Sequence, residues 1–401
     1  MMEQIDAIWL HWPETKALAQ AVVPLRFVGG SVRDALLNRE VRDVDAATPL
    51  SPDRVMTALR AAGIKAVPTG IDHGTVTAVI GARHFEITTL RRDVSTDGRH
   101  ATVAFTEDWK EDASRRDFTM NALFCDREGR VFDYFGGADD ARAGRVRFIG
   151  DPRARIREDA LRILRFFRFY AHYGVGPADA EGLAACGELA QLMSRLSGER
   201  VCQEMLKLLA AEQAADVVGL MQRHGVWPEV VGAVVTTEAL GRLPEVGRKT
   251  HCAPDGLLAL ALLLRGAAGD RPALIAAVAA RWKLSKAQEK RLHALCESPP
   301  VRYADETECK KRIRAWGRDR FIDATLIAMA EGAQEASALA ALDLAREWEV
   351  PAFPVTGDDL IALGARPGKE LGQTLRALEA AWEESGYALS KNELLVKDFL
   401  R

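Results

Sequence analysis

The sequence predicts an α+β domain with an antiparallel or mixed sheet over residues 1–150, followed by an all-helical remainder. Two observations carry that division. β-rich apolar runs bounded by turn residues cluster in the first third of the 401 residues. Beyond Gly150-Asp151-Pro152 they nearly vanish, and Ala-, Leu- and Arg-rich stretches at helical spacing take over. A third observation bounds the class. With 48% hydrophobic and 28% charged residues the composition is that of an ordinary soluble globular chain, and no apolar run approaches a membrane span.

The elements follow in chain order. Phe27-Val28 runs into Gly29-Gly30-Ser31, where a helix opens and continues to Leu37. Asp43 to Ala47 reads as a strand, ended by Thr48-Pro49. Ser51-Pro52 supplies an N-cap and a first helical position for a helix to Ala62. Thr75–Ile80 and His84–Leu90 flank Gly81-Ala82-Arg83 as a hairpin. Asp93 to His100 is polar, carries an Asp97-Gly98 turn signal and reads as a mobile loop. Thr119–Cys125 and Arg145–Ile149 read as further strands. Helices are expected over 157–173, 197–212, 256–266, 271–282, 285–297 and 335–347.

Six cysteines stand singly, with no C-x-x-C pair, which argues against a zinc site or disulfide framework and for a reducing compartment. The first residues lack a signal-peptide pattern, so a cytoplasmic location is expected, with no membrane partner. The net charge of −3 does not advertise a nucleic-acid binder. Local charge does: Arg142 to Arg168 holds nine arginines against Asp151, Glu158 and Asp159, an excess of six that could hold phosphates. Lys310, Lys311, Arg312 and Arg314 form a second basic run, which a solvated helix face explains as well as RNA phosphates do.

Three constellations carry chemistry. In the first, Gly29 and Gly30 let backbone N–H groups approach a phosphate, and Asp43 and Asp45 follow as Asp-x-Asp. Residues i and i+2 of a strand face one way, so both carboxylates can aim at one point and suit Mg²⁺. Either motif alone describes a glycine turn or two solvated aspartates; together, in this order, they make a kit for moving a nucleotidyl group. The second is Arg115-Arg116-Asp117 with Asn121: Arg116 could hold a triphosphate, Asp117 orient an arginine and Asn121 pin a backbone turn. A surface ion-pair cluster is the alternative. The third is Glu158-Asp159-x-x-Arg162-x-x-Arg165-x-x-Arg168. As one helix it places Glu158, Asp159, Arg162 and Arg165 on an arc about a third of the circumference wide. That edge could read a base, or be a run of salt bridges on a solvated face.

Together these motifs resemble the bacterial class II CCA-adding tRNA nucleotidyltransferases and poly(A) polymerases, within the polymerase-beta-like nucleotidyltransferase superfamily. Gly29-Gly30-x-Val32-Arg33-Asp34 with Asp43 and Asp45 match the family's first motif, and Arg115-Arg116-Asp117 with Asn121 the ribose and triphosphate motif. Asp93 to Arg99 resembles the flexible loop, Glu158-Asp159-x-x-Arg162 the nucleotide-templating motif, and Glu199-Arg200 the motif that braces the neck. The resemblance implies a nucleotidyltransferase head over 1–150, a neck over 151–215, a body over 216–320 and a tRNA-binding tail over 321–401. It implies that Asp43 and Asp45 hold Mg²⁺ and are catalytic. Gly30, Ser31, Arg33 and Arg116 would bind the triphosphate, Asp159 and Arg162 the base of CTP or ATP, and Arg165 and Arg168 the nucleotide or its phosphates. The implied reaction adds C, C and A to the 3′ end of tRNA. Glu86 fits the pattern of a third superfamily carboxylate, or supports its strand or a neighbouring arginine. The competing readings are a poly(A) polymerase, against which the acidic C-terminal stretch speaks; an enzyme adding only CC or only A; and a catalytically dead RNA-binding protein, against which both aspartates speak.

Overall fold

The computed structural model describes residues 3–71, 74–97 and 100–396, with 93–97 and 100–103 described by backbone alone. It divides into two compact units, Met1–Val234 with Ala280–Lys283, and Val235–Ala279 with Leu284–Arg401.

In the first unit, β1 (Arg26–Val28), β2 (Asp45–Thr48), β3 (Lys65–Gly70), β4 (Thr75–Ile80) and β5 (Arg83–Thr89) are followed by β6 (Arg91–Asp97) and β7 (His100–Phe105), then β8 (Leu123–Cys125) and β9 (Val131–Asp133). Seven of them form one sheet in the order β3-β4-β5-β2-β1-β8-β9. Only β2 and β5 pair in parallel, so the sheet is mixed, as the sequence predicts. Among the described residues no strand follows β9. Helices α1 (Pro13–Ala21), α2 (Gly30–Leu36) and α3 (Pro52–Ala61) bury Leu18, Val32, Val55 and Leu59 in one core with Phe27, Phe85 and Ile87. Each such side chain contributes about 1.5–3 kcal/mol by leaving water. Trp9 meets Phe27 edge-on at 5.0 Å.

Three expectations change. The stretch Asp93–His100, read as a loop, is mostly paired strand: β6 and β7 form a separate two-stranded sheet, and residues 98–99 lie outside the described residues. Val94, Thr96, Thr102 and Val103 carry strand propensity that the interspersed charges masked. Within 119–125, Thr119–Asn121 is a single 3-10 turn and only β8 is strand. Arg145–Ile149 is no strand but touches the chain through one bridge, Phe118 to Phe148. Its arginines explain why: Arg145 and Arg147 donate to the buried Asp140 at 3.0 and 2.9 Å, which ties the segment to α5 (Gly137–Arg142) instead of a sheet edge.

The link from sheet to helices runs through α4 (Trp109–Ser114), then α6 (Pro152–Glu158) and α7 (Leu161–Tyr173). Asp151 caps α6 by accepting from the N–H groups of Arg153 and Ala154, with Pro152 at the first helical position. On α7, Ile163, Leu164, Phe166 and Phe167 are buried, and Phe166 stacks on Phe148 at 5.6 Å. The helices α8 (Ala180–Glu188), α9 (Gly198–Leu209), α10 (Ala214–Arg223) and α11 (Val226–Val231) complete the unit. A Cβ on Gly198 would meet the Arg281 carbonyl oxygen at 2.4 Å, so α9 starts with glycine because a backbone crosses it there.

The second unit is helical among its described residues: α12 (Glu238–Thr250), α13 (Gly256–Arg265), α14 (Arg271–Trp282, its last turn belonging to the first unit), α15 (Lys286–Cys296), α16 (Glu306–Trp316), α17 (Arg318–Ala330), α18 (Glu335–Glu347), α19 (Gly357–Ala362), α20 (Lys369–Glu384) and α21 (Lys391–Val396). The leucine-rich α13 is buried from Gly256 to Leu264 and ends in Arg265, which grips Glu331 with two bonds of 2.7 and 2.8 Å. No described helix is long and apolar enough to cross a membrane. All six cysteines are free; five are buried and Cys252 is partly exposed. Burial pushes the thiols of Cys125 and Cys296 up to about 12.

Candidate active site

The turn from β1 into α2 builds the first wall. Gly29 has φ +74°, a conformation side chains disfavour, and a Cβ there would lie 3.5 Å from Nη1 of Arg116. The backbone therefore passes close beside that guanidinium. Gly30 lines a cleft of 770 Å³, and Arg33 follows one turn later. Arg33 is 6% exposed, and its donors are largely committed. Nε and Nη2 donate to Asp34 at 2.9 and 2.8 Å, Nη2 also to the Tyr173 hydroxyl at 2.6 Å, and Nη1 to Asn121 at 2.6 Å. One N–H of the five remains. Ser31 is turned inward, 3% exposed, with its hydroxyl on the Val28 carbonyl at 3.3 Å, so only its backbone N–H is left to offer.

The carboxylates stand on the next strand. Asp45 opens β2 and lines the cleft, while Asp43 is exposed in the loop before it. Glu86 sits on β5, the parallel neighbour of β2. Asp45 reaches solvent at the mouth of the cleft, yet the surrounding walls desolvate it. That desolvation, then the charges of Glu86 and Asp43, push its pKa up to about 6 against the opposing pull of Arg116. Crowded, half-desolvated carboxylate oxygens are what a hard divalent cation relieves, so the donor set fits Mg²⁺. Among the described residues no three His, Cys, Asp or Glu side chains group as a metal site, so the two aspartates would need oxygens from a bound triphosphate to complete a shell.

The turn after α4 forms the opposite wall. Asp112, 1% exposed, accepts from Nε of Arg115 at 2.8 Å, Nη2 of Arg116 at 3.3 Å and the Arg91 backbone N–H at 3.2 Å. Nε of Arg116 has no hydrogen-bond partner, and burial lowers its pKa against the opposing pull of Asp112. Asp117 orients an arginine as expected: Arg165 donates to it from Nε at 2.7 Å. Burial alone would raise the Asp117 pKa, but Arg165 and the donors on Asn121 and Phe118 hold it below its ordinary value. Asn121 does more than pin a turn. It donates to Asp117 at 3.0 Å while accepting from Arg33, so it joins the two walls.

The helix expected over 157–173 is broken. Asp159 has φ −151° and ψ 105°, ending α6, and α7 begins at Leu161. Its carboxylate accepts from the Leu161 N–H at 3.1 Å and from Arg200 on α9 at 2.7 Å, a partner no local pattern could reveal. Asp159 and Arg162 thus straddle a break instead of sharing one helical face, and both line the cleft. Arg162 donates to Glu158 at 2.5 Å, to the Arg155 carbonyl at 2.9 Å and to the Arg115 carbonyl at 3.1 Å. Arg165 and Arg168 also line the cleft, with Arg168 held by Glu204 at 2.6 Å. The structure brings Gly30, Arg33, Asp45, Arg116, Asp159, Arg162, Arg165 and Arg168 to one cavity. Ser31 and Asp43 flank it. Sequence reasoning gave no role to Asp112, Arg155, Tyr173 or Glu204. Arg155 donates to the carbonyls of Arg115 and of Arg116, the latter at 2.7 Å. The arginine density around residue 155 was the one available signal. The cleft lining carries eight arginines and Lys207 against Asp45, Asp117 and Asp159, an excess of six suited to a polyanion beside a cation site.

Residues 25–147 match the family of the Poly A polymerase head domain, and residues 179–231 that of the probable RNA and SrmB-binding site of polymerase A. The chain is 36% identical to the mitochondrial CCA tRNA nucleotidyltransferase 1 of Danio rerio, over 92% of this chain and 86% of that protein. It is 32% identical to the CCA-adding enzyme of Levilactobacillus brevis, over 92% and 91%. Among solved structures, the CCA-adding enzyme of Bacillus stearothermophilus in complex with CTP superposes with a TM-score of 0.74 at 27% identity, covering 93% of each chain.

Proposed function

The chain belongs to the family of CCA-adding tRNA nucleotidyltransferases, and on that premise we propose that it adds C, C and A to the 3′ end of tRNA from CTP and ATP, releasing pyrophosphate. The observation that carries the proposal is the single cleft that gathers a desolvated aspartate, an arginine with an unpartnered Nε, and Asp159 with Arg162. Asp43 and Asp45 would hold Mg²⁺, which supplies Lewis-acid polarisation of the attacked phosphate and lowers the pKa of a bound hydroxyl. Arg116 would take triphosphate oxygens with the donors Asp112 leaves open, and the one uncommitted N–H of Arg33 would add to it. The backbone at Gly30 and Ser31 would close the cradle. Asp159 would accept from the exocyclic amine shared by cytosine and adenine, and Arg162 would donate to the adjoining ring nitrogen. Binding a base there means giving up part of the present pairing with Arg200 and Glu158. Arg165 and Arg168, fixed by Asp117 and Glu204, would hold charge at the helical wall.

We propose with it the division into head (1–150), neck (151–215), body (216–320) and tRNA-binding tail (321–401), and a cytoplasmic site of action, which six unpaired cysteines support. The test is the labelled product on a tRNA lacking its 3′ end. CTP alone should add two residues, CTP with ATP three, and ATP alone none. A long A tract from ATP alone would replace this reading with poly(A) synthesis, and a stop at CC with both nucleotides present would make it a CC-adding enzyme.

A further inference from the structure

We propose that Asp112 is a positioning residue for nucleotide binding: one buried carboxylate that aims Arg116 into the cleft and ties it to the base of the β6–β7 hairpin. The inference rests on the reading that this cleft binds a nucleoside triphosphate. The two oxygens of Asp112 divide their partners. Oδ1 takes the Arg91 backbone N–H and Nε of Arg115, and Oδ2 takes Nη2 of Arg116. The backbone bond matters because Arg91 is the first residue of β6, so the carboxylate cannot drift with the arginines it holds. At the other end of the hairpin, the Thr106 hydroxyl donates to Glu111 and accepts the Asp108 N–H at 3.2 Å, and Asp108 in turn caps α4 through the Lys110 N–H at 2.8 Å. The six-residue α4 is thus fastened to both ends of the hairpin and presents Asp112 to the arginine pair.

The contrast with Arg33 shows what this arrangement is for. Arg33 is gripped on three sides and keeps one free N–H. Arg116 gives one side-chain hydrogen bond, from Nη2 to Asp112, and its Nε is enclosed without a partner, which leaves Nη1 and the second Nη2 hydrogen as the end-on fork for an incoming oxygen. A guanidinium recognises phosphate through two parallel donors, so its orientation decides affinity as much as its charge does.

The sign of the effect separates positioning from neutralisation. Removing an acid that merely offsets charge in a basic cleft would tighten triphosphate binding; removing one that aims a guanidinium weakens it. The experiment is calorimetric binding of CTP and ATP to the full chain without tRNA, so that no turnover occurs, with thermal melting alongside. Asp112→Asn should weaken both nucleotides about tenfold, and by the same factor, since the triphosphate is common to them. Arg116→Ala should weaken them at least as much, and Asp112→Asn added to Arg116→Ala should cost nothing further. Tighter or unchanged binding by Asp112→Asn overturns the proposal, as does full additivity with Arg116→Ala. If Asp112→Asn does not fold, Arg116→Lys keeps the charge and loses the fork; it should weaken both nucleotides about tenfold, and wild-type affinity overturns the proposal. Failure of the unaltered protein to bind either nucleotide would instead remove the reading of the cleft on which the proposal stands.

Discussion

Residues 155–168 and residues 306–316 each set basic side chains at helical spacing among acids; the first run lies on α6 and α7 either side of the break at Asp159, the second on α16. On α16 the charges balance close at hand. Lys310 pairs with Glu306 and Arg312 with Glu308, both at 2.7 Å and one turn back on the same helix, while Arg314 divides its fork between Glu379 and Glu383 of α20. In the first run Glu158 serves Arg155 and Arg162 locally, and the remaining partners come from afar. Arg155 and Arg162 reach the carbonyls of residues 115 and 116, Arg165 reaches Asp117, and Asp159 reaches Arg200. Acids there are outnumbered, and the surplus faces a cavity. The difference teaches that spacing alone does not mark a binding face. Charge left over after long-range pairing does, because a protein tolerates a crowded, unbalanced guanidinium cluster only where something anionic comes to it.

The comparison breaks most visibly at the acid that only the first region has beside it. On the proposed reading each step uses the same cation site, so Asp45→Asn should lower incorporation of both C and A by about a thousandfold or more while tRNA binding holds. Lys310→Ala, measured in the same assay, should stay within about twofold. Near-normal incorporation by Asp45→Asn would dissolve the distinction.

Stability sharpens it next. Arg165→Ala strands the buried Asp117 and should cost about 3 kcal/mol in denaturant unfolding. Arg312→Ala removes a partly buried pair within one helix and should cost less than about 1 kcal/mol. Equal losses would mean that the long-range pairs are no more than surface pairs.

Base choice comes third. Arg162→Ala or Asp159→Ala should narrow the preference for CTP and ATP over UTP and GTP by about tenfold in kcat/KM, since mismatch no longer leaves buried groups unpaired. Arg33→Ala should weaken all four nucleotides alike. Unchanged ratios in both helix variants would return this region to the class of α16.

The last effect is on pH, and it is about twofold at the midpoint before it steepens. In the proposed role Asp45 would have to be ionised to hold a cation, and burial and neighbouring carboxylates push its pKa up to about 6. At limiting Mg²⁺ the rate should fall about tenfold per unit as pH drops below that point, and added Mg²⁺ should move the fall to lower pH. A rate flat down to pH 4.5 would remove Asp45 from the cation site.

Much of this was legible in the sequence. The β-rich start and helical remainder follow from hydrophobic period, and helices 271–282 and 335–347 end where predicted, because their punctuation is local. The glycine turn was readable for the same reason, whereas the strand expected from Asp43 begins only at Asp45, so the two aspartates do not share it. What escaped was decided across the chain. The break at Asp159 depends on Arg200, forty-one residues on. The strand missing at 145–149 depends on two arginines preferring Asp140. Asp112 stood in plain view beside Arg115 and Arg116, but nothing local says that the Arg91 backbone shares its carboxylate.

The six cysteines have a practical corollary. Five thiols are shut inside the protein, and burial makes several of them poor nucleophiles as well. Cys252, between α12 and α13, is the most exposed of the six. A maleimide dye added in modest excess to the native protein would therefore attach at one position in the second unit, giving a fluorescent reporter that needs no cysteine engineering and leaves every group around the cleft as it was.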